Sequence, residues 1–233
     1  MGKRIVARAR GKGGPRYRAP SHRYLGKVEY FPVTGVTGKV KDIVHDPGRS
    51  APVAIIKLEN GKEILHIASE GLKTGDTITY DGEPFNGNIL PLSKIPVGVR
   101  IHGIETYPWS GPKLCRCSGS SAMVVGRMGS KITIQFASGK TKNLDENCRA
   151  TIGVPAGGGR VEKPFMKASN KYFALRARGK LYPRVRGVVM APVDHPYGGK
   201  SKRPRGKAVP RTAPPGAKIG SISPRRMGKK KGK

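Results

Sequence analysis

The sequence predicts a mostly β protein, with two small barrels in series and a basic arm at each end. Three observations carry this reading. Charge gathers at the ends: residues 1–27 hold nine Lys and Arg and no acid, residues 28–159 hold fifteen against twelve, and residues 160–233 hold twenty-two against two. The near-neutral middle is built from short β-branched runs bounded by turn signals, the pattern of small barrels or sandwiches rather than of βαβ units. One stretch alone in the 233 residues has the composition of a helix.

The elements follow in order. The opening, GKRIVARARGKGGPRYRAPSHR, has no apolar period and is broken by Gly and Pro, so on its own it lacks the buried surface to offset its ordering entropy. Lys39–His45 is strand-like and stops at the turn Asp46-Pro47-Gly48. Val53–Glu59 and Lys62–Ala68 flank Asn60-Gly61, a strong two-residue hairpin signal. Asp76–Tyr80 adds a strand before Asp81-Gly82. A second cluster follows Pro91 and Pro96, with strands at Val99–Glu105, Ser121–Arg127, Lys131–Phe136, Lys140–Leu144 and Arg149–Gly153. In the third of these, Ile132, Ile134 and Phe136 alternate on one face. Lys167–Arg178 reads as a short helix, and after Gly179 the chain returns to Gly, Pro and positive charge. The resulting borders are an arm over 1–27, barrels over 28–90 and 91–178, and a basic loop and tail over 179–233.

Composition also narrows the function. A formal net charge of +32 repels itself unless a polyanion neutralises it, so nucleic acid or an anionic surface is the expected partner. No apolar run approaches the ~18 residues of a membrane span, and the N-terminus lacks the ~7–15 apolar residues of a secretory signal. Three cysteines, an odd number, fit a reducing cytosol better than a disulfide framework.

Few residues point to catalysis or cofactors. Gly139-Lys140-Thr141 lacks the earlier glycine of a phosphate-binding loop, since position 134 is Ile, and sits between two predicted strands. Gly157-Gly158-Gly159 lacks the Lys-Ser/Thr that would follow in such a loop. Cys115 and Cys117 are spaced Cys-x-Cys, with Cys148 far along and His102 as the one conceivable fourth ligand, so no metal and no cofactor is expected. Asp194-His195, inside GVVMAPVDHPYGG, has the residue types of a catalytic dyad. Pro196 drives His195 toward extended backbone, where neighbouring side chains diverge, so the dyad is read as part of a shaped loop and not as an active site.

The arms hold the residues suited to binding. Arg offers a planar fork to phosphate, Lys a mobile point charge, and an aromatic ring a face on which unpaired bases stack. Lys3, Arg4, Arg8, Arg10, Lys12, Arg16, Tyr17, Arg18 and Arg23 supply these near the start. Arg184, Arg186, His195, Tyr197 and the closely approaching Gly198 and Gly199 do so in the loop, and Lys200, Lys202, Arg203, Arg205, Lys207, Arg225 and Arg226 beyond it. Arg49 joins them from the turn after the first strand.

Four segments, in order, resemble one known family: HDPGRSAPVA (45–54), NGNILPLSKIPVGVRIHGIE (86–105), NCRATIG (147–153) and VRGVVMAPVDHPYGG (185–199). The chain is similar over essentially its whole length to the universal large ribosomal subunit protein two family. HDPGRSAP and the MGKRIVARARGKGG opening are of the archaeal and eukaryotic type. The resemblance implies an oligonucleotide-binding (OB) fold followed by an SH3-like barrel. It implies a cytoplasmic ribosomal constituent that binds large-subunit rRNA around the peptidyl-transferase region, beside neighbouring ribosomal proteins and the small subunit, with no membrane partner. Roles in subunit association and tRNA placement come with it, and His195 carries over as an RNA contact. Ala191, Tyr197, Lys200 and Lys202 depart from residues common in the family. The rival from another class is a non-specific nucleic-acid packaging protein, for which charge alone would suffice; an enzyme comes third.

Overall fold

The computed structural model describes residues 2–199, 208–214 and 218–224. These fall into two compact units, residues 19–178 in one, and residues before 19 together with those from 179 onward in the other.

The larger unit holds both barrels. In the first, β1 (Thr37–Val44), β2 (Val53–Leu58), β3 (Glu63–Ile67) and β4 (Thr77–Thr79) form an antiparallel sheet in the order β3-β2-β1-β4. The Asn60-Gly61 turn joins β2 to β3 in the register Lys57↔Glu63, and a bulge at Lys41 curves β1 so that it pairs with strands on both sides. The alternating apolar residues of these strands converge on Val40, Ala54, Ile56, Leu58 and Ile78, capped by Tyr30 and Tyr80. This is the OB-type barrel.

The second sheet has six strands in the order β5-β10-β6-β7-β8-β9. They are β5 (Ile89–Pro91), β6 (Arg100–His102), β7 (Ala122–Met128), β8 (Lys131–Phe136), β9 (Thr141–Asp145) and β10 (Arg149–Ile152). Its core is Leu90, Leu92, Ile95, Ile101, Ile104, Val124, Ile132, Ile134 and Leu144, and it is the SH3-like barrel. The Gly139 region is the β8–β9 hairpin turn, with the Gly139 amide donating to the Phe136 carbonyl at 2.8 Å.

Three sequence expectations need correction. A border at residue 90 cuts through β5, which pairs with β10 of the second sheet while Ile89 also bridges Tyr80 of the first barrel. The N-terminal arm ends at Arg18 rather than Lys27, because Tyr24 donates to the Ala177 carbonyl (2.6 Å) and Arg49 to the Gly26 carbonyl (2.6 Å), tying residues after 18 to the barrels. The arm also holds a helix, α1 (Val6–Lys12), with no buried residue. Gly13 closes α1 in the left-handed region at φ 72°, its amide bonded to the Arg10 carbonyl, and Arg10 and Lys12 complement the negative end of the helix dipole.

The second helix, α2 (Ala168–Arg176), lies inside the predicted 167–178 and also buries no side chain. Among the described residues no helix is long and apolar enough to cross a membrane. In the smaller unit, β11 (Ala208–Val209) pairs in parallel with β12 (Ser221–Ile222).

The two barrels meet over a buried polar seam. Glu105, fully buried, accepts from Arg149 Nη2 at 2.9 Å, from the Arg149 amide at 2.9 Å and from the Gly111 amide at 2.9 Å. Arg149 Nη1 reaches into the first barrel, to the Phe31 carbonyl at 2.6 Å. The Tyr30 hydroxyl, from the first barrel, lies 2.7 Å from the Gly103 carbonyl and 2.6 Å from Thr151 Oγ1 of the second. Ser69 Oγ contacts His102 Nε2 at 2.8 Å. Backbone bonds from Glu70 to Val154 and from Ala156 to Ala68 complete the seam.

Candidate nucleic-acid interface

The loop from Gly187 to Gly199 is shaped by its own backbone. Both the Asp194 and His195 amides donate to the Ala191 carbonyl, at 3.0 and 3.2 Å, and Gly199 donates to Met190 at 3.2 Å. Residues 191–195 therefore form a turn, not the extended run expected from Pro196. Asp194 and His195 each take another partner. Asp194 faces Lys3 Nζ at 3.6 Å, and the Lys3 amide donates to the Val193 carbonyl at 2.7 Å. His195 faces the other way: its Nδ1 accepts from the Tyr197 amide at 3.0 Å, and the two rings meet edge to face with centroids 5.2 Å apart.

That contact sets the tautomer. A backbone N–H can only donate, so Nδ1 spends its lone pair as acceptor and the neutral ring carries its hydrogen on Nε2. His195 thus presents a donor, the group that a phosphate or ribose oxygen needs. A general base would require the opposite tautomer. Two glycines allow the turn to close this tightly. A Cβ at Gly187 would collide with the His195 ring, and one at the buried Gly198 with the Met190 and Ala191 backbone. Tyr197 completes the support by donating its hydroxyl to the Ile219 carbonyl at 3.1 Å.

Among the described residues of the smaller unit, several cations have no acidic partner. Arg4, Arg8, Arg10, Lys12, Arg16, Arg184 and Arg186 are exposed, and Tyr17 is half-buried. Arg18 is exposed but folds its Nε onto the Gly13 carbonyl at 2.7 Å. In the larger unit Arg23 is exposed. Lys200, Lys202, Arg203, Arg205, Lys207, Arg225 and Arg226 lie outside the described residues.

Arg49 also has a structural role. It is half-buried and paired with the fully buried Asp46, with its second arm on Gly26. Burial, with Arg116 nearby, lowers its pKa from the ordinary value. Its first task is to brace the turn after β1.

A second basic surface went unread in the sequence. Lys27, Arg49, Trp109, Lys113 and Arg116, with one acid, Glu29, ion-paired to Lys27, line a cleft of about 310 Å³ between the barrels. Trp109, the single tryptophan, is held at φ 65° and stacks beneath the Arg149 guanidinium, 4.4 Å from its ring centroid. A lone exposed Trp among Lys and Arg in a Pro- and Gly-rich turn, TYPWSGPKLCR, is the signal that could have found it.

Among the described residues no group of three His, Cys, Asp or Glu converges as a metal site. All three cysteines are free thiols, Cys117 exposed, Cys115 half-buried and Cys148 buried. Burial pushes the Cys115 and Cys148 thiols up to about 11, which disfavours the thiolate that a metal takes.

Two family descriptions match the chain. Residues 3–80 match the RNA binding N-terminal domain of ribosomal proteins L2, and residues 85–218 match the C-terminal domain of the same proteins. The large ribosomal subunit protein uL2 of Methanothermobacter thermautotrophicus is 48% identical over 241 residues, covering 99% of this chain and 100% of that one. Its counterpart in Halorubrum lacusprofundi is 48% identical over 98% of each chain. That of Archaeoglobus fulgidus is 49% identical, over 98% of this chain and 99% of the relative.

Proposed function

The chain belongs to the ribosomal protein L2 family, and from that premise we propose that it is a structural constituent of the large ribosomal subunit that binds large-subunit rRNA. The observation that carries the RNA-contact role is the His195 loop, whose close-packed glycines and braced imidazole belong to a unit rich in exposed Arg and Lys. Phosphate contacts from α1 and the arms position the protein on its RNA, and the loop reads local shape. The cleft at Trp109 adds a second contact, its guanidinium-backed indole offering a flat face to a base or ribose. In this reading the protein works on the cytoplasmic ribosome, beside neighbouring ribosomal proteins and at the interface with the small subunit, where it supports subunit association and tRNA placement. It acts by holding RNA, not by catalysis, and needs no cofactor.

The test is binding of the full chain to a large-subunit RNA fragment, and to duplex DNA of equal length, over a range of salt. Ten phosphate contacts give a slope of log K against log salt of about −7 on single strands and about −9 on duplex. A steep slope with a clear preference for the RNA fragment is expected. Equal affinity for both polymers would support the packaging alternative instead.

A further inference from the structure

Beside the C-terminal half of α2 lies a pocket of about 610 Å³, outside the loop and cleft described above. Three segments build it: Pro20 to Tyr24, Pro47 of the turn after β1, and Phe173, Arg176 and Ala177 of α2 and its end. Its walls are tied together. Tyr24 donates its hydroxyl to the Ala177 carbonyl at 2.6 Å, bridging the first segment to the last. Gly48 lets the Tyr24 ring lie flat on the turn, since a Cβ there would stand 2.7 to 2.9 Å from three ring carbons. The buried Asp46 holds that turn by accepting from the Gly48 amide at 2.9 Å.

The lining has a distinct chemistry. Phe173 is 60% exposed, with its neighbour Tyr172 edge-on at 5.4 Å between centroids. Arg23, Arg176 and His22 contribute donors, and no acid is among the lining residues. The flanking stretch 160–180 carries seven Lys and Arg against one acid. At the end of α2 the buried Nε of Arg178 has no acceptor among the described residues. An apolar side chain of a protein neighbour would use the ring but leave these donors unpaired. A flat, anionic ligand uses both.

We propose that this pocket takes one unpaired nucleotide of the RNA, its base stacked on Phe173 and its phosphate held by Arg23 and Arg176. The proposal rests on the RNA-binding reading and specifies a site within it. Stacking on one aromatic side chain supplies tight, sequence-tolerant binding, and the cations add salt dependence.

The experiment measures equilibrium binding of the full chain to a large-subunit RNA fragment across salt. Phe173→Leu keeps an apolar side chain at an exposed helix position but removes the ring. It is expected to weaken binding roughly 10-fold or more with the salt slope unchanged, and Phe173→Trp to retain full affinity. Arg23→Gln and Arg176→Gln should each make the slope shallower by about 0.7, the value for a single-strand phosphate. Photocrosslinking of the same complex should leave a nucleotide adduct on the peptide that contains Tyr172 and Phe173. Wild-type affinity in Phe173→Leu, or adducts confined to other peptides, would overturn the proposal while leaving RNA binding itself intact. If the unmodified chain shows no salt-dependent preference for the RNA, the broader reading fails instead.

Discussion

At the scale of single residues, the buried ion pair and the braced imidazole make opposite demands. Glu105 and Arg149 sit out of water at 0% and 6% exposure, so the pair persists only because its hydrogen bonds are filled. Glu105→Gln leaves the guanidinium buried without its counter-charge, which costs about 3–5 kcal/mol. For a unit of this size each kcal/mol is worth roughly 2–4 °C in Tm, so thermal unfolding should show a drop near 10 °C. Replacing both partners with apolar residues, Glu105→Leu with Arg149→Met, should recover much of that loss, because neither charge is then stranded. His195 is different: its removal touches binding rather than folding. His195→Ala should weaken RNA affinity roughly 3- to 10-fold, the worth of one hydrogen bond, and His195→Gln, which keeps a donor, should weaken it less. Peptide-bond formation by fully assembled particles carrying His195→Ala should fall by less than about 100-fold. A larger loss with assembly intact would indicate acid–base catalysis.

At the scale of elements, α1 carries Arg8, Arg10 and Lys12 exposed, with Arg8 and Lys12 four apart on one face and Arg10 on the opposite one. Changing all three to Gln should make the salt slope of RNA binding shallower by about 2 to 3, and an unchanged slope would show that α1 does not grip phosphate. This element was not legible because a helix with no buried face leaves no periodic pattern; Ala, Arg and Lys propensity and the closing Gly13 were the weaker signals present. The strands were legible where β-branched alternation met a turn pair, as at Asn60-Gly61 and Lys131–Phe136. Ile89–Pro91 was missed because three residues are too few to alternate, and Ile89 and Leu90 are both buried. The site shows the same division. The cations of the arms and the glycine-bounded loop could be read locally. The cleft at Trp109 and the pocket at Phe173 join segments more than 50 positions apart, brought together by a fold that no local window encodes.

At the scale of the whole molecule, two buried histidines bind the stability of the barrels to pH. Burial lowers the pKa of His66 to about 3 and that of His102 to about 4, against about 6.5 in an unfolded chain. Both are therefore neutral in the fold, His66 bonded to the Tyr80 hydroxyl at 2.6 Å and His102 to Ser69. Below pH 6.5 the unfolded chain binds protons that the folded chain refuses, so the stability present above that pH is lost as pH falls toward 4 and then 3. Between pH 7 and pH 5, before most carboxylates titrate, roughly 4 kcal/mol should disappear. Thermal unfolding over that interval checks it, and a His66→Gln variant should show a flatter dependence. The seam that shelters His102 also bears on how the ribonucleoprotein carries load. Tyr30, Ser69 and Arg149 stitch one barrel to the other through two buried bonds and one half-buried bond. The stretch joining them is thus no hinge: prying the barrels apart would strip Arg149 of the Phe31 carbonyl and the Tyr30 hydroxyl of Gly103 and Thr151 at once. Any RNA strands seated on the two barrels would then be held at one set spacing, with the protein as a rigid gauge block between them.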